Sequence, residues 1–259
     1  MIHPTALIDE RAQIGKGVKI GAYAVIGPEV VIGDACEIGH HAVIEGPTQM
    51  GQGNRIFPFA AVGLEPQDMK FHGENSRLEI GQGNLIREYV TINRGSEAGG
   101  WVTKIGDQNW IMAYCHIAHD CIIGSNIIMA NGTTLGGHVV IKNHATLGGM
   151  TGVHQFCRIG EHAMTGGQSM ITQDVTPYVT AVGNRAKVQG LNYVGLERKG
   201  FTSAQIEEIN KIYRIFFLSG KTVDKATQQL RSELPASDHL QCFIDFVETS
   251  QRGVCRPTG

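Results

Sequence analysis

The sequence has little net charge and no long apolar run. Its 22 Lys and Arg residues nearly balance 24 Asp and Glu residues, which gives a formal net charge of −2. A balanced chain lacks the basic surface that nucleic acids and anionic membranes attract. A membrane-spanning helix needs about 20 consecutive apolar residues, and the sequence contains no such run. We therefore predict a protein that neither binds nucleic acid nor inserts into a membrane.

The beginning of the chain also lacks a secretory pattern, because residues 1–5 contain no basic region followed by an apolar segment. The cytoplasm is therefore the expected location. The six cysteines form neither a Cys-x-x-Cys pair nor a group with zinc-ligand spacing. A structural metal is accordingly not expected.

A six-residue repeat occupies most of the sequence instead. Every sixth residue from Ile8 to Val62, and again from Ile105 to Ile171, is apolar except Thr165. Neither a helix nor a single strand has this period, whereas a solenoid with six residues on each flat side does. The residues two positions earlier are small or β-branched, or are cysteines that we expect to be buried free thiols: Cys36, Cys115, Cys121 and Cys157. The pattern predicts a parallel β-helix of triangular section, with eighteen residues per coil.

Residues eighteen apart should then stack on neighbouring coils, about 4.8 Å from each other. His119, Gly137 and Gln155 form one such column, and Asp120 and His138 belong to the next. The arithmetic predicts that histidines, a carboxylate and an amide converge at one corner.

The repeat fails in two places, near residues 64–78 and 93–103, where we expect loops that project from the coil. Beyond residue 190 the pattern becomes helical, and residues 202–205 resemble a helix capping box. We predict a β-helix over residues 1–190 and a C-terminal helical domain over residues 191–259.

Several motifs resemble the family of bacterial UDP-N-acetylglucosamine acyltransferases, the first enzymes of lipid A synthesis. They are His116-Ile117-Ala118-His119-Asp120-Cys121, Leu135-Gly136-Gly137-His138, Val153-His154-Gln155-Phe156 and Pro66-Gln67-Asp68-Met69-Lys70. The resemblance implies a left-handed β-helix, a homotrimer, and transfer of a 3-hydroxyacyl chain from acyl carrier protein to the 3-position of UDP-N-acetylglucosamine. It implies no cofactor.

The resemblance also implies individual roles. His119 corresponds to the general base, Asp120 to the carboxylate that orients it, and Gly137 to the glycine whose backbone amide serves the oxyanion. Substrate contacts are implied for Asp68, Lys70, His116, His138, His154, Gln155, Asn192, Arg198 and Lys199. The sequence departs from the family at Val194, where Glu is frequent, and at Lys199, where Arg is frequent; lysine keeps the charge but loses the bidentate fork.

Two glycine pairs, at residues 148–149 and 166–167, are eighteen residues apart and predict a trough without side chains. In the family, the residue that matches Gly167 limits acyl length, so Gly149 and Gly167 are the predicted acyl groove, open to long chains. The alternative is that these glycines only turn coil corners.

Three other functions compete with this interpretation. A lipid A N-acyltransferase would carry an additional N-terminal uridine-binding domain, whereas the repeats here start by residue 8. A γ-type carbonic anhydrase would have a histidine pair thirty-six residues apart, and no such pair involves the histidines of this corner. A non-catalytic scaffold would have an unremarkable corner at His119. A 3-amino acceptor, which would give an amide, also stays open.

Overall fold

A computed structural model describes residues 1–258, apart from the side chain of Ala98. The fold is a left-handed parallel β-helix with a C-terminal helical part, as predicted, although crossovers between parallel strands are usually right-handed. Three sheets form its sides, and each strand pairs with strands of the coils before and after it.

The strands are short because each flat side holds only one hexapeptide. The first sheet contains Leu7–Ile8, Val25–Ile26, Val43–Ile44, Ala61–Leu64, Thr91–Asn93, His116–Ile117, Thr134–Leu135, Gly152–Val153 and Met170–Ile171. The second contains Gln13–Ile14, Val30–Ile32, Thr48–Met50, Arg77–Ile80, Val102–Ile105, Ile122–Ile123, Val140–Ile141 and Arg158–Ile159. The third contains Lys19–Ile20, Glu37–Ile38, Arg55–Ile56, Leu85–Ile86, Trp110–Ile111, Ile128–Met129, Thr146–Leu147, Met164–Thr165, Val179–Val182 and the antiparallel strand Lys187–Leu191.

The aliphatic residue of each repeat fills the interior of the coil. Ile117, for example, is fully buried and pairs with Leu135, eighteen residues later. The small positions are buried as well, and the cysteines at Cys36, Cys115 and Cys121 are free and at most 1% exposed. The expectation of buried free thiols is therefore confirmed. Burial of these side chains supplies the main stabilisation of the solenoid.

Two segments leave the coil. Residues 65–76 separate the strands Ala61–Leu64 and Arg77–Ile80, and residues 94–101, which include the 3₁₀ helix Glu97–Gly99, precede Val102–Ile105. Stacked partners are therefore thirty residues apart across the first segment, as in Ala61↔Thr91, and twenty-five apart across the second, as in Thr91↔His116. Both segments lie between a strand of the first sheet and a strand of the second sheet. His119 lies at the same corner, between the strands His116–Ile117 and Ile122–Ile123.

Four helices follow the last strand: α1 (Tyr193–Arg198), α2 (Ser203–Leu218), α3 (Val223–Glu233) and α4 (Asp238–Glu248). The capping box predicted from residues 202–205 starts α2, where Thr202 and Gln205 exchange hydrogen bonds. Phe216 and Phe243 are buried against each other between α2 and α4. Gly259, the last residue of the predicted helical segment, lies outside the described residues.

The helical part is anchored to the final coils by polar contacts, some exposed and some partly buried. Arg158 donates hydrogen bonds to Thr249, and Asp174 accepts one from the Ser250 hydroxyl at 2.8 Å. Within residues 1–258, every helix is too short or too polar to cross a bilayer.

Candidate active site

His119 and Asp120 lie at a corner of the coil, directly after the strand His116–Ile117. Asp120 adopts a left-handed backbone conformation (φ 61°), which turns the chain and brings its carboxylate back beside the preceding imidazole. Oδ2 of Asp120 is 2.6 Å from Nδ1 of His119. The Asp120 side chain is fully buried, whereas that of His119 is 13% exposed. The pair thus has a buried acid end and an imidazole that reaches the surface.

The carboxylate of Asp120 is held by residues that arrive from the segment 94–101. Ser96 donates its backbone N–H to Oδ1 at 2.8 Å and its hydroxyl to Oδ2 at 2.6 Å. The hydroxyl of Thr103 accepts the backbone N–H of Asp120 at 2.8 Å. Gly99 packs so closely on the carboxylate that a Cβ there would collide with it. These contacts fix the orientation of the acid.

The charges at this corner favour the protonated form of His119. The hydrogen bond with Asp120 raises the pKa of His119, against the effect of burial, and the charges of Asp120 and Asp68 add to the increase. For Asp120, burial acts to raise the pKa, but hydrogen bonds from His119 and Ser96 outweigh it, so that its pKa is lowered. Asp120 can therefore stabilise an imidazolium at His119.

Gly137 lies one coil beyond His119, directly against its ring. A Cβ on Gly137 would come within 2.6 Å of Cε1 and 2.8 Å of Nε2 of His119, so any side chain would displace the imidazole. Its N–H has no acceptor among residues 1–258, as the corner geometry allows. The residue as a whole is buried. The surroundings of this N–H are therefore set by the His119 ring.

We call His119, Asp120, Gly137 and His138 the His119 corner. The rings of His119 and His138 are perpendicular, with centroids 5.2 Å apart. Nε2 of His138 is 3.8 Å from Oδ2 of Asp120, and Phe156 stacks on the other face of the His138 ring at 4.4 Å. Burial lowers the pKa of His138, although the charge of Asp120 opposes the change. At a pH between the pKa values of the two residues, His119 is therefore protonated while His138 is neutral.

His116 and the segment 65–76 border this corner. His116 contacts the Thr91 hydroxyl through Nδ1 at 2.7 Å, and burial lowers its pKa. Asp68 is partly buried and accepts a hydrogen bond from the backbone N–H of Lys70, whose side chain is exposed. The charge of Asp68 acts on both His119 and His138, so Asp68 lies within electrostatic reach of both rings.

The remaining predicted residues lie farther along the coil. His154 and Gln155 are exposed on the coil after Gly137. Asn192 is only 8% exposed: its side chain caps α1 by accepting the Gly195 N–H, and it donates to the His162 carbonyl oxygen at 2.9 Å. Arg198 and Lys199, at the end of α1, are exposed. The structure therefore brings together the His119 corner, His116 and Asp68, and places Asn192, Arg198 and Lys199 on a separate segment.

The four glycines of the predicted groove differ in their steric surroundings. A Cβ on Gly148 would come within 2.5 Å of the Gly167 backbone nitrogen, and one on Gly166 within 2.7 Å of Val182. A Cβ on Gly167 would meet nothing closer than the Gly149 carbonyl oxygen at 3.4 Å, and one on Gly149 nothing closer than the Asn131 carbonyl oxygen at 3.3 Å. Packing therefore requires Gly148 and Gly166, whereas a Cβ would fit at Gly167 and would only slightly crowd the Asn131 carbonyl oxygen at Gly149.

Sequence reasoning missed the contacts of Ser96, Gly99 and Thr103 with Asp120. Ser96 and Gly99 belong to the segment where the repeat is interrupted, so the eighteen-residue count does not reach them. The only hint in the sequence is that the interruption of the repeat falls immediately before the coil that contains His119.

Known proteins match both halves of the chain. Residues 11–46 and 103–137 match the bacterial transferase hexapeptide family, and residues 174–255 match domain 2 of UDP N-acetylglucosamine O-acyltransferase. The β-helix and its histidine corner therefore define a hexapeptide-repeat acyltransferase.

The full-length relatives narrow this class. The acyl-[acyl-carrier-protein]–UDP-N-acetylglucosamine O-acyltransferase of Herminiimonas arsenicoxydans is 48% identical over 260 residues, which cover 99% of each chain. The structure of Francisella novicida UDP-N-acetylglucosamine acyltransferase superposes with a TM-score of 0.97 at 37% identity, over 100% of this chain and 95% of that one. LpxA from Acinetobacter baumannii gives 0.96 at 45% identity, over 98% and 99%. The chain belongs to the acyl-[acyl-carrier-protein]–UDP-N-acetylglucosamine O-acyltransferase family.

Proposed function

We propose that this protein transfers a 3-hydroxyacyl chain from acyl carrier protein to the 3-hydroxyl of UDP-N-acetylglucosamine, with His119 as general base. The observation that carries the proposal is the contact between Nδ1 of His119 and the buried Asp120 carboxylate. Because an ionised carboxylate can only accept, Nδ1 of His119 is the donor in this contact, and Nε2 is left to accept the proton of the sugar. The names of the relatives support the two substrates.

The reaction needs one proton acceptor and one oxyanion donor. The sugar oxygen attacks the thioester carbonyl carbon while Nε2 of His119 takes its proton, and Asp120 stabilises the resulting imidazolium. The N–H of Gly137, which has no acceptor among residues 1–258, donates to the oxyanion. When the C–S bond breaks, His119 returns the proton to the departing thiolate, so the carrier protein leaves as a thiol.

The sugar nucleotide is proposed to lie between the His119 corner and the segment 65–76. Asp68, Lys70 and His116 border that space, and His138 faces it from the next coil. His154 and Gln155 extend the contact surface along the coil axis. The two basic residues at the end of α1, Arg198 and Lys199, would pair with the nucleotide phosphates, and Asn192 would act indirectly by fixing the start of α1.

The acyl chain is proposed to lie along the surface of Gly149 and Gly167. The support is the steric contrast described above, because neither residue must be glycine for packing and yet both are. A polymethylene chain requires such a surface without side chains. The homotrimer and the cytoplasmic location remain predictions from the sequence.

The test is a mass spectrum of the products formed from a panel of 3-hydroxyacyl carrier proteins with UDP-N-acetylglucosamine or with its 3-amino analogue, in the presence of EDTA. We expect one ester per sugar at the 3-position. An amide product with a 3-amino acceptor, and no ester, would contradict the choice of acceptor. Activity that disappears in EDTA and returns with zinc would contradict the metal-independent mechanism.

A further inference from the structure

A second group of histidines lies at a different corner of the β-helix, close to the helical part. It consists of His144, Glu161 and His162, which we call the His144 cluster. His144 and His162 are eighteen residues apart, both have left-handed backbones (φ 61° and 54°), and their rings stack with centroids 4.7 Å apart at 13°. Two imidazoles are thus fixed on adjacent coils.

One polar atom of this cluster is unsatisfied. Nδ1 of His144 is buried and has no hydrogen-bond partner among the described residues. A buried polar atom without a partner carries a desolvation cost of about 1–3 kcal/mol. Such an atom in a native structure calls for an explanation, and an unrecognised ion is one of the ordinary ones.

The carboxylate of the cluster is oriented by the helical part. Oε2 of Glu161 accepts a hydrogen bond from the Cys242 thiol of α4 at 3.6 Å. An outer contact of this kind is what usually orients a carboxylate ligand of a metal. One oxygen of Glu161 therefore has a partner in α4, and the other remains available.

We propose that the His144 cluster binds a divalent transition-metal ion, with Zn²⁺ as the type case. One ligand atom from each of the three residues lies within 4.8 Å of the other two. Two imidazoles and a carboxylate form the donor set that zinc accepts, with ligands about 2.0–2.2 Å from the metal. Calcium and magnesium prefer oxygen ligands, so this cluster favours zinc, nickel or copper over them.

The adjustment needed for binding is small. Tetrahedral zinc with these bond lengths places its ligand atoms roughly 3.3 Å apart, so the atoms of the cluster must approach one another by about 1.5 Å at most. Rotation of the Glu161 side chain and a tilt of one ring provide this movement. The backbone of both coils stays fixed by their ladder hydrogen bonds, such as His162 N–H to the Asn143 carbonyl oxygen.

The charge near the cluster decides how tightly it binds. Burial lowers the pKa of His144, and lowers the pKa of His162 to about 4, so both imidazoles are neutral at pH 7 and need lose no proton. The charge of Lys199 acts on both rings and opposes a cation. Because its side chain is exposed, it can turn towards solvent when the ion binds.

The test titrates the full chain, freed of metal with EDTA and desalted, with zinc chloride in a calorimeter. We expect one zinc site, which His144→Phe weakens at least about tenfold, because phenylalanine keeps the ring stack but removes the ligand. Glu161→Gln should weaken the site independently. Lys199→Gln should tighten it by roughly two- to fivefold, since it removes a like charge beside the ion.

The control is the other group of histidines. His119, Asp120 and His138 also bring ligand atoms within 4.8 Å, although Asp120 is already bonded to Ser96. His138→Phe should leave the titration unchanged. Three results would overturn the proposal: no binding by the wild type up to about 1 mM zinc, binding that survives both His144→Phe and Glu161→Gln, or binding that is lost in His138→Phe.

Discussion

The His119 corner and the His144 cluster are built from the same residue types: two imidazoles on adjacent coils and one carboxylate. At the His119 corner the histidines are nineteen residues apart, so their rings are perpendicular and Asp120 lies between them. In the His144 cluster the spacing is eighteen, and the rings stack face to face.

A difference of one residue in the spacing of the two histidines therefore changes how their rings and the carboxylate are arranged. Between perpendicular rings, a buried carboxylate bonds one imidazole and raises the pKa of His119, as a general base requires. Beside stacked rings, burial lowers the pKa of both imidazoles, and the charge of Glu161 opposes this only at His144; neutral imidazoles are what the proposed metal site uses. The comparison teaches that the position of the acid, more than the number of histidines, separates the two sites.

The strongest way to break this comparison is to remove the proposed base. His119→Ala should lower kcat at least about a hundredfold, the usual scale for a lost general base, and the protein should remain folded because the coil interior is unchanged. Steady-state kinetics with circular dichroism provide the measurement. The matched control is His41→Phe, at a corner where the ring stacks between Tyr23 and Phe59 and no loss is expected. Turnover close to wild type in His119→Ala would refute the assignment.

The second prediction concerns a surface outside both corners. Gly167→Met should block the end of the acyl groove while the His119 corner stays intact. If three or four methylenes are excluded, at about 0.8 kcal/mol each, the transition state with the long donor loses about 2–3 kcal/mol of binding free energy. Its kcat/KM then falls on the order of a hundredfold. The measurement is the ratio of kcat/KM for fourteen-carbon and ten-carbon 3-hydroxyacyl donors.

The control for this prediction is Gly167→Ala, whose Cβ would lie at 3.4 Å from the Gly149 carbonyl oxygen, close to an ordinary contact. That variant should change the ratio much less. An unchanged ratio in Gly167→Met would mean that the glycine is only a coil corner and that the acyl chain lies elsewhere.

The smallest predicted effect concerns Asp120 and tests whether it acts through His119. His119 must be neutral to accept a proton, so kcat/KM rises with pH through the pKa of His119. Because Asp120 raises that pKa, Asp120→Asn should lower it and move the acidic limb of the profile to lower pH. The plateau should also fall, by roughly tenfold or more, since the imidazolium loses its counter-charge. A limb that stays in place, or moves to higher pH, would show that Asp120 does not act through His119.

Much of this arrangement could be predicted from the sequence because the coil has a fixed repeat. The eighteen-residue count placed Gly137 against His119 and Gly167 against Gly149, as the structure has them. The count fails across insertions. Ser96 contacts Asp120 at a sequence separation of twenty-four residues, and this separation depends on the path of the segment 94–101. Loop paths follow from tertiary contacts and have no period.

The helical part was predictable only in outline. The capping box at Thr202 is a local signal and was identified correctly. The burial of Asn192 depends on the distant carbonyl oxygen of His162, so the sequence alone could not show that its amide is engaged within the chain. For the same reason the sequence alone does not single out the His144 cluster, since Lys199, whose charge acts on both rings, and Cys242, which contacts Glu161, come from other elements.

The left-handed backbone at Asp120 and His138 (φ 61° at both) has a consequence for how the protein can evolve. A side chain in this conformation costs on the order of 1 kcal/mol, whereas glycine bears no such penalty and asparagine tolerates it well. Gly or Asn would relieve the backbone at these corners but would remove the carboxylate or the imidazole. The same left-handed backbone carries Tyr23, His41 and Phe59 at corners of earlier coils. The coil therefore tolerates a side chain at each such turn, and the chemistry of a corner can change without a change of fold.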